Sequence, residues 1–284
     1  MEIKAADVAK LRKMTGAGMM DCKNALVESN GDFERRSEER RDFERAQEII
    51  REKGKLVAAK RADREATEGS VIAITNEKKD RGILVCLGCE TDFVAKNSGF
   101  QQLAMGIAHK ALEHFPENLE ALLNLSYEEG TIADAVTQQA GKSGEKHVVT
   151  FYSRLEAPYM GSYIHMNNKV ATIVGFTKPI PAEAAKEIAM QITAMVPVSV
   201  NRENCPKEII EKELHIYREQ IRMEGKPEEM VEKIALGKLN IFFKEYPLED
   251  QIFVKDGKIT VKEYLKTVDS QVRVTAFSRY SLND

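Results

Sequence analysis

The feature that most narrows the fold is an internal duplication. Gly69-Ser70-Val71-Ile72 returns as Gly161-Ser162-Tyr163-Ile164, and Leu103-Ala104-Met105-Gly106-Ile107 returns as Ile188-Ala189-Met190-Gln191-Ile192. The first pair lies in β-rich runs and the second on helical apolar stripes, so one strand-and-helix unit is used twice. The offset between copies shortens from 92 residues to 85 between these anchors, so the first copy holds seven more residues. They are shared between its hairpin turn and the strand-to-helix loop Cys89 to Asn97. Added loop length on a repeated scaffold is a natural place to seek function.

The first copy opens with a hairpin, Ser70 to Thr75 and Gly82 to Gly88, around the charged turn Asn76 to Arg81. Phe100, Leu103, Ile107, Ala108 and Ala111 then line one face of a helix that Pro116 ends, before further helices around Leu119 to Leu125 and Thr131 to Ala140. A second strand set covers His147 to Glu156, Ser162 to Met166 and Val170 to Thr177, with Asn167-Asn168 as a hairpin turn.

Upstream, Val8, Leu11 and Met14 are spaced to face inward from a helix, and Thr15-Gly16-Ala17-Gly18 supplies its cap and turn. A second short helix, Met20 to Glu28, turns Ala25 and Leu26 inward. Asn30-Gly31-Asp32 stops it, and the Asp32 side chain caps a third helix. That helix is unusual, because Asp32-Phe33-Glu34-Arg35 recurs as Asp42-Phe43-Glu44-Arg45 with Arg36, Arg40 and Arg41 between. Interleaved acids favour a solvated, ion-paired extension over an RNA-binding surface. The polar run Lys53 to Glu68, with Gly54 inside it, reads as an interdomain linker.

Downstream of Pro206, a helix carrying Ile209, Ile210, Leu214, Tyr217 and Ile221 turns at Gly225-Lys226-Pro227 into a second one running through Ile234 and Phe242. That is an antiparallel helical hairpin, and its narrow apolar stripe suits a projecting element. A helix at Val261 to Val268 and a strand at Val272 to Phe277 close the chain. The expected class is α+β. The division is a three-helix bundle (1–53), a linker (54–68), a first core subdomain (69–158), a second (159–205 with 245–270), the helical hairpin (206–244) and a C-terminal strand and tail (271–284).

A net charge of −3 over 284 residues gives no overall pull toward nucleic acid. No stretch approaches the roughly 18 apolar residues of a membrane span. The N-terminal residues lack the plan of a signal or transit peptide, and four cysteines make no disulfide framework, so a cytoplasmic location is expected.

Gly141-Lys142-Ser143 mimics the end of a phosphate-binding loop, but Val136 stands where the first Gly belongs and the motif ends a helix. Gly16-Ala17-Gly18 fails as a dinucleotide loop because Asp21 replaces the third Gly. Cys86-Leu87-Gly88-Cys89 has no second pair at zinc spacing and reads as buried thiols, although a redox or zinc enzyme would use Cys86 and Cys89. The five histidines lie near no nucleophile pattern. The chain is expected to be no enzyme and to need no cofactor. A general adaptor that uses only the residues before Lys53 is the other alternative.

Two segments, Thr15-Gly16-Ala17-Gly18-Met19-Met20-Asp21-Cys22-Lys23 and Thr91-Asp92-Phe93-Val94-Ala95-Lys96-Asn97, closely resemble the elongation factor Ts family, and the order of modules is similar over nearly the whole chain. The insertion around Arg35 to Asp42 departs from that family's pattern. The resemblance implies a ubiquitin-associated-like N-terminal bundle and guanine-nucleotide exchange on the GTPase elongation factor Tu. Thr91, Asp92, Phe93 and Val94 would dislocate Mg²⁺ from that partner. Met19, Met20, Ala95, Lys96, Asn97 and His165 would bind it. Ser143-Gly144-Glu145 aligns with a partner-touching loop, but Ser143 replaces an apolar residue, so these three are left out of the site. The helical hairpin is the candidate surface for pairing two exchange complexes.

Overall fold

In a computed structural model, residues 3–15, 17–29 and 40–283 are described. The chain divides into two compact units, one of Met1–Ile72, Val85–Tyr152 and Leu282–Asp284, the other of Ala73–Leu84 and Ser153–Ser281. The elements run α1 (Ala5–Thr15), α2 (Met19–Ser29), α3 (Arg40–Lys60), β1 (Glu68–Thr75), β2 (Arg81–Cys89), α4 (Asp92–Ala95), α5 (Ser98–His114) and α6 (Leu119–Leu123). There follow β3 (Ser126–Tyr127), β4 (Gly130–Thr131), α7 (Ile132–Ser143), β5 (His147–Glu156), β6 (Tyr159–Ile164) and β7 (Val170–Phe176). Last come α8 (Ala182–Met195), α9 (Lys207–Met223), α10 (Glu228–Glu245), α11 (Val261–Val268) and β8 (Val274–Ser281).

The N-terminal helices α1, α2 and α3 share a small core. Val8 and Leu11 from α1, Cys22, Ala25 and Leu26 from α2, and Ala46 from α3 are buried together, with Phe43, Ile49 and Ile50 packed against them. Met14, expected in this core, is instead 54% exposed. The expected Asp32 cap and the first Asp-Phe-Glu-Arg copy lie outside the described residues.

The expected linker at 54–68 is corrected: α3 continues to Lys60, and only 61–67 separates it from β1. Its distal half packs on α7, and the crossing is made by two glycines. A Cβ placed on Gly141 would lie 2.6 Å from the Gly54 Cα, and one on Gly54 would lie 3.2 Å from the Thr137 carbonyl oxygen. At Gly141 the approach leaves no room for a side chain, while at Gly54 it is only tight. Charge alternation resembled a linker because one face of this helix stays in water, while the other is covered by a helix distant in sequence.

Both strand sets form three-stranded sheets, ordered β1-β2-β5 and β6-β7-β8. The middle strands β2 and β7 are buried almost throughout, which fits their nearly unbroken apolar runs Ile83 to Leu87 and Ala171 to Phe176. The β6–β7 turn is formed by Asn167 and Asn168 with φ of 72° and 54°, a left-handed pair that asparagine tolerates.

Two strand assignments change. His147 to Glu156, grouped with the second strand set though placed within the first core subdomain (69–158), is the third strand of the first sheet. The C-terminal strand, expected in a separate tail, pairs antiparallel with β7 from Val170↔Ser281 to Phe176↔Val274 and completes the second sheet. Each copy therefore comprises a hairpin, a helix, inserted helices and a returning third strand.

In the second unit, α8 buries Ala185, Ile188, Ala189 and Ile192 in a core shared with Val174, Phe176, Leu248, Phe253, Leu265 and Val274. The pair α9 and α10 packs along one seam, where Ile209, Ile210, Leu214 and Tyr217 meet Leu239, Phe242 and Phe243, and Ile221 meets Val231 and Ala235. No helix among the described residues is long and apolar enough to cross a membrane.

Candidate functional site

The loop after β2 is built around one short helix. Thr91, extended at φ −126° and ψ 154°, is the N-cap of α4, its hydroxyl accepting from the Val94 N–H. Asp92 therefore does not cap the helix. Its carboxylate instead takes a 2.6 Å ion pair from Lys96, four residues on and largely exposed. Phe93 does not fill the core either: it is 83% exposed. Ala95 is buried, so its methyl group seats the helix and offers no surface. Asn97 caps the next helix, α5, accepting 2.8 Å from the Gly99 N–H.

The Phe93 ring thus stands in solvent at the tip of the loop. Beside it lies a cavity of about 450 Å³, bounded by Phe93, Val94, Leu103, Tyr127, Gln139 and Lys142. The second copy has no equivalent of α4, since residues 177–181 carry no helix before α8.

The side chains that hold this loop come from the turn after α7. Gly144 adopts φ +76° and ends α7, which brings Glu145 back toward β2. Glu145 Oε2 accepts from the backbone N–H of Glu90 at 3.2 Å and of Thr91 at 3.0 Å. Its Oε1 accepts the Thr91 hydroxyl at 2.6 Å.

Glu90 reciprocates, accepting from the Lys146 N–H at 2.6 Å and from Arg61 Nη1 at 2.7 Å. Burial works to raise the Glu90 pKa, but the Lys146 N–H and the Arg61 guanidinium together hold it below the ordinary value. Lys146 Nζ donates to the carbonyls of Ala62 and Arg64 at 2.6 and 2.8 Å. Below them His147 is buried against Phe100, its Nδ1 3.0 Å from the Glu145 carbonyl, and burial lowers its pKa.

Met19 and Met20 open α2 and are 60% and 64% exposed, so neither is a core residue of the bundle. Asp21 beside them pairs with Lys53 of α3. His165 belongs to the second unit, exposed at the end of β6, with Nδ1 3.1 Å from the Tyr163 hydroxyl. Thus Thr91 to Asn97 follow one another on one loop, Met19 and Met20 occupy a helix start in the same unit, and His165 belongs to the other unit.

The sequence profile of the family described as Elongation factor TS matches residues 90–284. The chain is 46% identical over 283 residues to Elongation factor Ts of Christiangramia forsetii, with 99% of both chains covered. The chain belongs to the elongation factor Ts family. Elongation factor Ts of Porphyromonas gingivalis is also 46% identical, over 100% of this chain and 99% of its own, and that of Chlorobaculum tepidum is 40% identical, over 99% of each.

As a member of the elongation factor Ts family, the chain carries its exposed aromatic residue three positions inside the segment that the profile matches. Cys86 and Cys89 are free and buried, burial being the main cause that pushes their pKa up to about 11 and about 12. A thiol protonated at neutral pH is a poor nucleophile and metal ligand. No group of three or more potential metal-binding side chains occurs among the described residues. Folded protein at pH 8 is therefore expected to leave all four cysteines unmodified by an aromatic disulfide reagent, with all four reacting in guanidinium chloride. Fast native-state modification of Cys86 or Cys89 would overturn this.

Glu145 and Glu90 were not legible as site residues. Their role is to receive backbone N–H groups, and nothing in side-chain patterning marks an acceptor of that kind. The weak signal was the turn Ser143-Gly144-Glu145 itself.

Proposed function

We propose that the protein is a guanine-nucleotide exchange factor for elongation factor Tu in translation elongation, acting in the cytoplasm without chemistry of its own. The observation that carries this reading is Phe93, exposed on a helix that is anchored at its base. A rigid aromatic wedge can displace packed elements of a partner, whereas a mobile one would yield.

Asp92 and Phe93, flanked by Thr91 and Val94, enter the nucleotide domain of GDP-loaded elongation factor Tu. A GTPase holds its diphosphate through a phosphate-cradling loop and a Mg²⁺ ion with a strict octahedral shell. Shifting the elements beside that ion breaks the shell. Mg²⁺ leaves, and GDP loses its main counter-charge and follows. Met19, Met20, Lys96, Asn97 and His165 supply contacts to the same partner, and the α9–α10 pair serves as a surface for pairing complexes.

Exchange is reciprocal: whatever factor weakens nucleotide binding also weakens binding of the exchange factor when nucleotide returns. GTP rebinding therefore releases it, and the nucleotide supply decides which nucleotide is loaded. A thousandfold acceleration requires about 4 kcal/mol off the release barrier. One displaced ion and a rearranged loop suffice for that.

The test is rapid mixing of elongation factor Tu carrying a fluorescent GDP analogue with the intact chain or with Asp92→Ala/Phe93→Ala. Strong acceleration by the intact chain and little by the double variant is expected. Equal acceleration by both would remove α4 from the mechanism, and none by the folded intact chain would end the exchange reading.

A further inference from the structure

We infer that Glu145 is a positioning residue for exchange, holding α4 and Phe93 in the orientation in which they meet the partner. The inference rests on the exchange reading above. Glu145 acts through the residues on which the wedge is mounted, by its bonds to the Glu90 and Thr91 N–H groups and the Thr91 hydroxyl.

The geometry is unusually complete. One carboxylate takes three donors from two adjacent residues, the Glu90 and Thr91 N–H groups and the Thr91 hydroxyl. The same hydroxyl accepts from Val94, the residue after Phe93, so the carboxylate is linked through one oxygen atom to the first turn of α4. The Glu90 carboxylate returns the contact by accepting from the Lys146 N–H and pairing with Arg61. Two neighbouring residues of each strand end thus clasp two of the other.

The clasp compensates for a weakness of α4 itself. A helix of four residues cannot hold its own orientation, since nucleation costs more than so few hydrogen bonds return. The Asp92–Lys96 ion pair is too exposed to fix it. Charge-assisted bonds to a carboxylate held in the tight turn between α7 and β5 are the strongest local constraint. The Glu145 carbonyl contact with buried His147 fixes the other side of the same residue.

The test has a structural arm and a kinetic arm. The chain contains no Trp, so Phe93→Trp introduces a single indole at the tip. In that background Glu145→Ala is expected to lower the residual fluorescence anisotropy of the indole, reporting wider local motion, while far-UV circular dichroism stays unchanged. With Phe93 restored, Glu145→Ala is expected to reduce the saturating rate of GDP release roughly tenfold. The concentration giving half that rate should move much less.

Thr91→Val, which exchanges the hydroxyl for a methyl group and so removes both its bond to Glu145 and its cap of α4, should show a smaller effect in the same direction, and it serves if Glu145→Ala fails to fold. Thr91→Ser should restore the parent behaviour. Unchanged anisotropy, or an unimpaired saturating rate in folded Glu145→Ala beside an active parent, overturns the inference alone. An inert parent overturns the exchange reading, and this inference with it.

Discussion

The single variant Phe93→Ala is expected to melt like the parent chain and yet to lose most of its ability to release GDP from elongation factor Tu. The two halves of that result have separate physical origins. Phe93 is 83% exposed, so truncating it removes little packing, and a stability change within about 0.5 kcal/mol is anticipated. Its exposed ring is instead the largest apolar surface that α4 can offer to a partner.

Aromatic anchors that become fully buried in an interface are worth about 2 to 4 kcal/mol when truncated. If that energy is realised in the displaced-ion state, the saturating release rate falls roughly thirtyfold to a thousandfold. Stopped-flow release kinetics beside a thermal melt separate the two quantities. A variant that melts normally and exchanges normally would place the wedge elsewhere on the molecule.

The largest stability effect is expected at the α3–α7 crossing. Gly141→Leu must place its Cβ 2.6 Å from the Gly54 Cα and 3.2 Å from the Gly54 nitrogen. These are backbone atoms of a helix, and no rotamer relieves the clash. Overpacking of this kind costs about 1 to 3 kcal/mol, and leucine's gain of roughly 1 kcal/mol in helix propensity does not offset its upper range.

We therefore expect a loss of about 2 kcal/mol in urea unfolding, with α3 detaching from α7 first. Gly54→Ala is the informative companion. Its nearest neighbour is a carbonyl oxygen at 3.2 Å that needs to yield only slightly, so the propensity gain of about 1 kcal/mol should leave it near neutral. An unchanged midpoint for Gly141→Leu would show that the two helices part without cost.

The contrast between these residues explains what could be read from the sequence. The duplicated hairpins and the face of α5 were legible because strand alternation, the Asn167-Asn168 turn and the spacing of Phe100, Leu103, Ile107 and Ala111 are local patterns with local causes. The third strands were misassigned because a strand's pairing partner is chosen by tertiary packing: β5 follows α7 yet belongs beside β2.

Gly54 carried the wrong meaning for a similar reason. Within a charged run a glycine suggests slack, and only the other helix, with Gly141 about ninety positions away, makes it a contact. In the site, Thr91 to Asn97 stood out as a block, but the exposure of Phe93 did not, since an apolar residue after a capping position is normally buried. Glu145 could be found only once the backbone it serves had been placed.

The continuity of α3 also governs how chain length can vary here. Ala46 is locked into the N-terminal bundle and Gly54 into the crossing with α7, so the helix between them works as a gear of fixed pitch. Each residue inserted there turns the bundle by about 100° and advances it about 1.5 Å, carrying Met19 and Met20 to a new bearing. Insertions between those two anchors are tolerable only near whole turns of helix, whereas length added after Lys60 leaves that bearing untouched.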